Sequence, residues 1–173
     1  MNVQLLSKLH ALGINECHLR ACKLLEYEEC KNLVRSENDM FGRVQRMSPT
    51  ALSCWHKLKR AAAKDSIELL LVSAFRSIDY QCELITRKLK KGEDLSTILK
   101  VNAIPGFSEH HTGQALDLNT TECCPLSEEF ELTSAFDWLQ ENASHYKFSM
   151  SFPRNNIRGM VYEPWHWTCQ IRP

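Results

Sequence analysis

The sequence predicts a single α+β domain in which N-terminal helices pack on a mostly antiparallel sheet. Three observations lead there. Apolar residues recur at helical spacing through the first third of the chain, short apolar runs bounded by polar residues fill much of the remainder, and helices precede strands rather than alternating with them. At 173 residues the chain is one domain's worth, and no repeat, low-complexity tract or Pro/Gly/Ser linker divides it. The expected layout is a helical part over residues 1–65 and a mixed core over 66–173. Hydrophobic residues at 43% and charged residues at 24% exclude a disordered or fibrous chain.

In chain order, Leu5, Leu9 and Leu12 share a helical face, with Gly13 placed to end it. A second helix is expected over 18–34, burying Ala21, Leu24, Leu25 and Leu33. Ser48-Pro49 has the chemistry of a helix start: a capping hydroxyl, then a residue whose missing N–H costs nothing in the first turn. That helix runs through Leu52, Trp55 and Leu58 to about Lys64. Residues 67–75 are apolar and short, which suits a buried strand. A helix over 77–90 points Leu84, Ile85 and Leu89 inward and stops at Gly92, and Asp94-Leu95-Ser96 opens a short further helix. Residues 104–113 read as an irregular loop, 114–119 as a strand, 134–145 as a helix, and 148–152 and 160–171 as strands.

Charge and cysteine usage narrow the function. Lys+Arg and Asp+Glu both total 21, whereas a nucleic-acid binder carries a basic surplus, so no nucleic-acid partner is expected. The longest strongly apolar run, Leu69-Leu70-Leu71-Val72, is far below the roughly 20 residues of a membrane-crossing helix. The N-terminus lacks the apolar region of a secretory signal, which implies a cytosolic chain or one whose leader has been removed. Eight cysteines with no Cys-x-x-Cys give no support to a zinc ribbon or a thioredoxin-like centre, and reduced thiols, many of them buried, are expected.

The chemistry concentrates in two segments. In Ser108-Glu109-His110-His111-Thr112-Gly113-Gln114-Ala115-Leu116-Asp117 a loop delivers imidazole, a glycine turns the chain, and a strand delivers a carboxylate. On that strand Ala115, Asp117 and Asn119 share one face, and a lone Asp between two leucines requires a partner. A divalent cation would serve, since His with carboxylate is a set that zinc accepts. On spacing alone, a satisfied core His with a capping or salt-bridged Asp is the favoured reading. Tyr162-Glu163-Pro164-Trp165-His166-Trp167 offers a second His and a second carboxylate. Three apart on a regular strand they would face opposite ways, although Pro164 marks an edge or bulge that re-aims one of them. Together the segments supply two His and one Asp, plus a spare Glu: the inventory of a catalytic zinc site.

Ser-x-His-x-x-Gly-x-Ala-x-Asp followed by Glu-Pro-Trp-His-Trp resembles the zinc D-alanyl-D-alanine carboxypeptidases of the VanY type, relatives of the VanX-type dipeptidases. Residues 73–81, Ser-Ala-Phe-Arg-Ser-Ile-Asp-Tyr-Gln, are similar to that family's Ser-x-x-Arg-Ser…Gln segment. The resemblance implies a small α+β domain whose antiparallel sheet bears one catalytic Zn2+. It further implies His110, Asp117 and His166 as zinc ligands, Glu163 as general base and Arg76 as stabiliser of the oxyanion. Ser108 and Gln81 would position substrate or loop, and the substrate would be a peptidoglycan stem peptide losing its terminal D-Ala. In that register His111 is a neighbour and not a ligand. His10, His18, His56 and His145 lie in or beside expected helices as bystanders.

One departure concerns substrate binding. VanY-type chains carry Arg-Tyr-Pro where this one has Ser151-Phe152-Pro153; Arg154 is next along, but a one-residue shift on a strand reverses its direction. Within the same chemistry, an L-alanyl-D-glutamate endopeptidase or a D-Ala-D-Ala dipeptidase remains an alternative. So does a zinc-containing binding module of the hedgehog kind, because fold alone does not establish turnover.

Overall fold

The computed structural model describes Met1 and residues 3–170. Two short helices, α1 (Val3–Ala11) and α2 (Glu16–Ala21), lead into a hairpin of β1 (Val34–Asn38) and β2 (Val44–Met47). Helix α3 (Pro49–Lys64) begins with the Ser48 hydroxyl accepting from the Ala51 N–H and with Pro in the first turn. After β3 (Leu70–Ser73) come α4 (Ile78–Lys90), capped by Ser77, and α5 (Leu95–Val101), capped by Asp94. Strand β4 (Ala115–Asn119), helix α6 (Ser134–Asn142) and strands β5 (Phe148–Met150) and β6 (His166–Cys169) complete the order, with single 3-10 turns at Glu109–Thr112, Glu128–Leu132 and Ala143–Tyr146.

The main sheet runs β3-β4-β6-β5 and is antiparallel throughout. All five residues of β4 are buried, because it sits inside the sheet with both faces covered. Leu116 and Leu118 face the principal core with Trp55, Leu58, Ala62, Leu71, Phe136, Leu139 and Trp167, so α3 and α6 form its cover. Helices α1, α4 and α5 bury Leu5, Leu9, Ile85 and Ile98 around a second cluster. The expected packing of N-terminal helices on the sheet therefore holds for α3, while α1 packs on α4 and α5.

Three expectations differ. The helix over 18–34 ends at Ala21, and Leu25 is exposed. The backbone that follows is taken by tertiary partners instead: the N–H groups of Tyr27 and Cys30 donate to the carbonyls of Gly106 and His111. The part over 1–65 is thus not wholly helical, and it contains a hairpin that the sequence reading missed. The strand expected over 160–171 begins only at His166, since Pro164 cannot extend the ladder; Ile171 lies outside the described residues. All eight cysteines are free, but only Cys54 and Cys169 are buried. Among the described residues no helix is long and apolar enough to cross a membrane.

Candidate metal centre and active-site cleft

Strand register assembles the site. Ser73 pairs with Asp117 and Asp117 pairs with His166, so the three lie side by side across β3, β4 and β6. The 3-10 turn of residues 109–112 adds His110 from the loop before β4. Ser108 caps that turn, its hydroxyl accepting from the His110 N–H at 3.4 Å. Gly113 ends it at φ +65°, where a Cβ would meet Leu33 at 2.9 Å and the Ser48 nitrogen at 3.0 Å, so glycine is required.

Each imidazole is oriented from behind. His110 Nδ1 donates to the Ala74 carbonyl at 2.5 Å, which leaves the Nε2 lone pair facing Asp117 Oδ1 at 3.3 Å. His166 Nε2 donates to Glu109 Oε2 at 3.0 Å, which leaves Nδ1 facing the same Asp117 oxygen at 3.0 Å. Ligand atoms of His110, Asp117 and His166 all lie within 4.8 Å of one another, and all three residues are buried. Two nitrogen lone pairs and a carboxylate aimed at one point repel each other unless a cation sits between them, and this donor set suits zinc. The residues fit the metal.

Without a metal, a proton must take the cation's place, on His166 beside Asp117. Burial lowers His110 to about 4, aided by the Arg76 charge. Burial works against a charged His166, yet its bonds to Asp117 and Glu109 raise it to about 10. Asp117 stays well below the usual carboxylate range: burial opposes this, and the His110 and Arg76 charges override it. Burial pushes Glu163 up to about 7, and the negative charge of Asp117 adds to that.

Glu163 and His166 do face one site. The His166 N–H bonds the Glu163 carbonyl at 3.1 Å across a turn through Pro164, so no strand parity separates them, and Glu163 Oε2 stands 3.9 Å from His166 Nδ1. Arg76, three residues beyond Ser73, donates from Nε to the Ser73 hydroxyl at 3.0 Å and from Nη2 to Asp117. Arg76, Ser108, Glu163 and the three ligand candidates line one cleft of about 250 Å³. Gln81 does not. It is fully buried, with Nε2 on the Ala103 carbonyl at 2.9 Å, and so holds a residue of the cleft wall.

His111 is a clamp. Its Nδ1 donates to the Arg76 carbonyl at 2.7 Å and its Nε2 accepts from the Gly106 N–H at 3.1 Å, so both nitrogens are used away from the metal cluster. Arg154 does not take the place of the arginine missing at Ser151. It is more than half exposed, paired with Glu128 and Glu131 and stacked over Tyr162. Two residues escaped the sequence reading. Glu109 is buried, holds His166, accepts from the Thr168 hydroxyl at 2.6 Å and pairs with Arg158. The Phe152 ring packs on His166 at 4.8 Å between centroids. A carboxylate adjacent to a candidate ligand was the available signal for Glu109. Nothing in the sequence points to Arg158, which arrives from a loop 49 residues downstream of Glu109.

The profile of the D-alanyl-D-alanine carboxypeptidase family VanY matches residues 44–170. A putative carboxypeptidase, YodJ of Bacillus subtilis strain 168, is 38% identical over 110 residues, covering 61% of this chain and 40% of its own. The bifunctional D-Ala-D-Ala dipeptidase and carboxypeptidase VanXYC of Enterococcus gallinarum is 28% identical over 76% of this chain and 68% of its own. Among solved structures, the LD-carboxypeptidase LdcB superposes with a TM-score of 0.73 at 30% identity, covering 82% of this chain and 69% of that one. The chain thus spans under half the length of YodJ and about two thirds of the other two. With a family profile matched from β2 through the main sheet and both site segments, the chain belongs to the VanY D-alanyl-D-alanine carboxypeptidase family.

Proposed function

We propose that the chain is a zinc-dependent D-alanyl-D-alanine carboxypeptidase that hydrolyses the terminal D-Ala from peptidoglycan stem peptides. The observation that carries this reading is the convergence of His110, Asp117 and His166 in a cleft that also presents Glu163 and Arg76. Zinc held by those three residues would supply Lewis-acid polarisation of the scissile carbonyl and of the attacking water. Glu163, whose carboxylate has no hydrogen-bond donor among the described residues, is free to take the proton of that water and pass it to the leaving amine. Arg76 commits Nε to Ser73 and Nη2 to Asp117, which leaves Nη1 to meet the negative charge growing on the carbonyl oxygen. Ser108 and the Phe152 ring shape the walls around the bound peptide, and Gln81 fixes the wall at Ala103.

A second reading, an L,D-carboxypeptidase, is favoured by the likeness to LdcB. It shares the leaving residue and differs in the chirality of the residue before the cut. Product analysis by mass spectrometry with the zinc-loaded protein separates the readings. A stem pentapeptide ending in D-Ala-D-Ala should lose one D-Ala, and Glu163→Gln should slow this by about 10²–10⁴-fold. Cleavage confined to a stem ending in an L-residue and D-Ala would establish the L,D reading. Hydrolysis of free D-Ala-D-Ala alone would establish a dipeptidase, cleavage inside the stem an endopeptidase, and no cleavage of any substrate a binding module.

A further inference from the structure

Glu109 is a buried carboxylate, and such a group is tolerated only beside a positive charge. Its Oε2 is taken by His166 and Thr168, and its Oε1 pairs with the Arg158 guanidinium. Among the described residues Arg158 is the only lysine or arginine paired with it. The loop between β5 and β6 that delivers Arg158 is braced internally. Asn156 accepts from the Arg158 N–H at 3.1 Å and donates to the carbonyls of Pro153 at 3.0 Å and Met160 at 2.9 Å. The guanidinium also stands 6.0 Å from the centre of the Phe152 ring, the ring that packs on His166. Arg158 therefore meets both groups that flank the His166 imidazole.

VanY-type chains carry an arginine where this chain has Ser151. Ser151 does not line the cleft. It is buried against β6, with its N–H on the His166 carbonyl at 3.3 Å and its hydroxyl 3.0 Å from that of Thr168, which in turn donates to Glu109. Position 151 thus belongs to the surroundings of Glu109 and not to the path of the peptide.

We propose that Arg158 is a positioning residue standing in for that arginine: the charge that VanY-type chains supply from position 151 reaches Glu109 here from position 158. Through Glu109 it keeps the proton on His166 Nε2 and leaves Nδ1 to the metal. The exchange concerns support of the metal site, not recognition of the substrate's terminal carboxylate. It rests on the zinc site of the peptidase reading and not on which peptide is cut.

The test measures zinc affinity by chelator competition on the full chain and its variants, with hydrolysis of a stem pentapeptide ending in D-Ala-D-Ala followed in parallel. Arg158→Gln should weaken zinc binding by about 10-fold, and Arg158→Lys should recover most of the loss because the charge is kept. Adding Ser151→Arg to Arg158→Gln should bring the affinity back toward the parent value. Ser151→Lys with Arg158→Gln carries the same charge on a slimmer side chain and serves if the arginine does not fold. Equal affinity in the parent and Arg158→Gln overturns the assignment, as does a loss that neither Arg158→Lys nor a cation at 151 repairs. Repair by Arg158→Lys, with the folded double variants left weak, keeps the positioning role and overturns the exchange with position 151. Affinities that move as expected without any hydrolysis support the assignment and defeat the peptidase reading alone.

Discussion

Glu109 shows how one residue governs the site from outside it. Its two oxygens are divided: Oε1 faces Arg158, while Oε2 accepts from His166 and Thr168. Although burial opposes it, the bond to His166 and that residue's charge hold the Glu109 carboxyl well below its usual range. An ionised partner on Nε2 fixes the proton there and keeps Nδ1 as the metal-facing nitrogen. Glu109→Gln should therefore weaken zinc binding by about 10- to 100-fold in a chelator competition. Unchanged affinity would show that His166 is oriented by packing against Phe152 alone. Thr168 on β6 and Ser151, just past the end of β5, are 3.0 Å apart through their hydroxyls, and Arg158 provides the positive charge beside Glu109 from the loop after β5.

Elements position these side chains, and two turns matter most. Gly113 closes the 3-10 turn and receives the Ser48 N–H on its carbonyl, so it ties the start of α3 to the metal loop. Gly113→Ala should cost about 1–3 kcal/mol of stability, read from chemical denaturation, because positive φ and two close neighbours coincide. A cost near zero would mean the loop relaxes freely. The hairpin turn depends on Asp39, which accepts from the N–H groups of Phe41 and Arg43 and from the side chains of Arg43 and Gln45. Burial opposes ionisation, but the Arg43 backbone and side chain hold Asp39 below its ordinary 3.8. A carboxyl depressed on folding stabilises fully above the unfolded value, and the contribution disappears as pH falls through the lower folded value. Asp39→Asn should thus be less stable than the parent at pH 7 by about 1 kcal/mol, with melting temperatures converging as pH falls below the ordinary 3.8. A gap independent of pH would assign the effect to packing. These turns also mark where the sequence was legible. The starts of α3, α4 and α5 were readable because a single capping side chain decides each. Residues 22–33 were not, since their backbone partners lie about 80 residues away, at Gly106 and His111.

Over the whole molecule, a buried central strand brings two segments 49 residues apart, at Asp117 and His166, into register, and the loop before that strand adds His110 as a third candidate ligand. The candidate ligands, which the fold gathers into one cluster, were legible because motif order and residue type survive without coordinates. Their second partners were not, because Glu109 acquires a role only when β6 is laid beside β4. The sequence likewise left the facing of Glu163 and His166 open, and the turn at Pro164 settles it by placing Glu163 before the strand begins. In the proposed centre His110, Asp117 and His166 share one cation, while Glu163 and His111 stay outside its coordination. Zinc stoichiometry by elemental mass spectrometry, on the parent and four variants purified in parallel, tests it most directly. One zinc per chain is expected for the parent, Glu163→Gln and His111→Ala, and almost none for His110→Ala and His166→Ala. Equal zinc content across all five proteins, or loss from His111→Ala with retention in His110→Ala, would contradict the account.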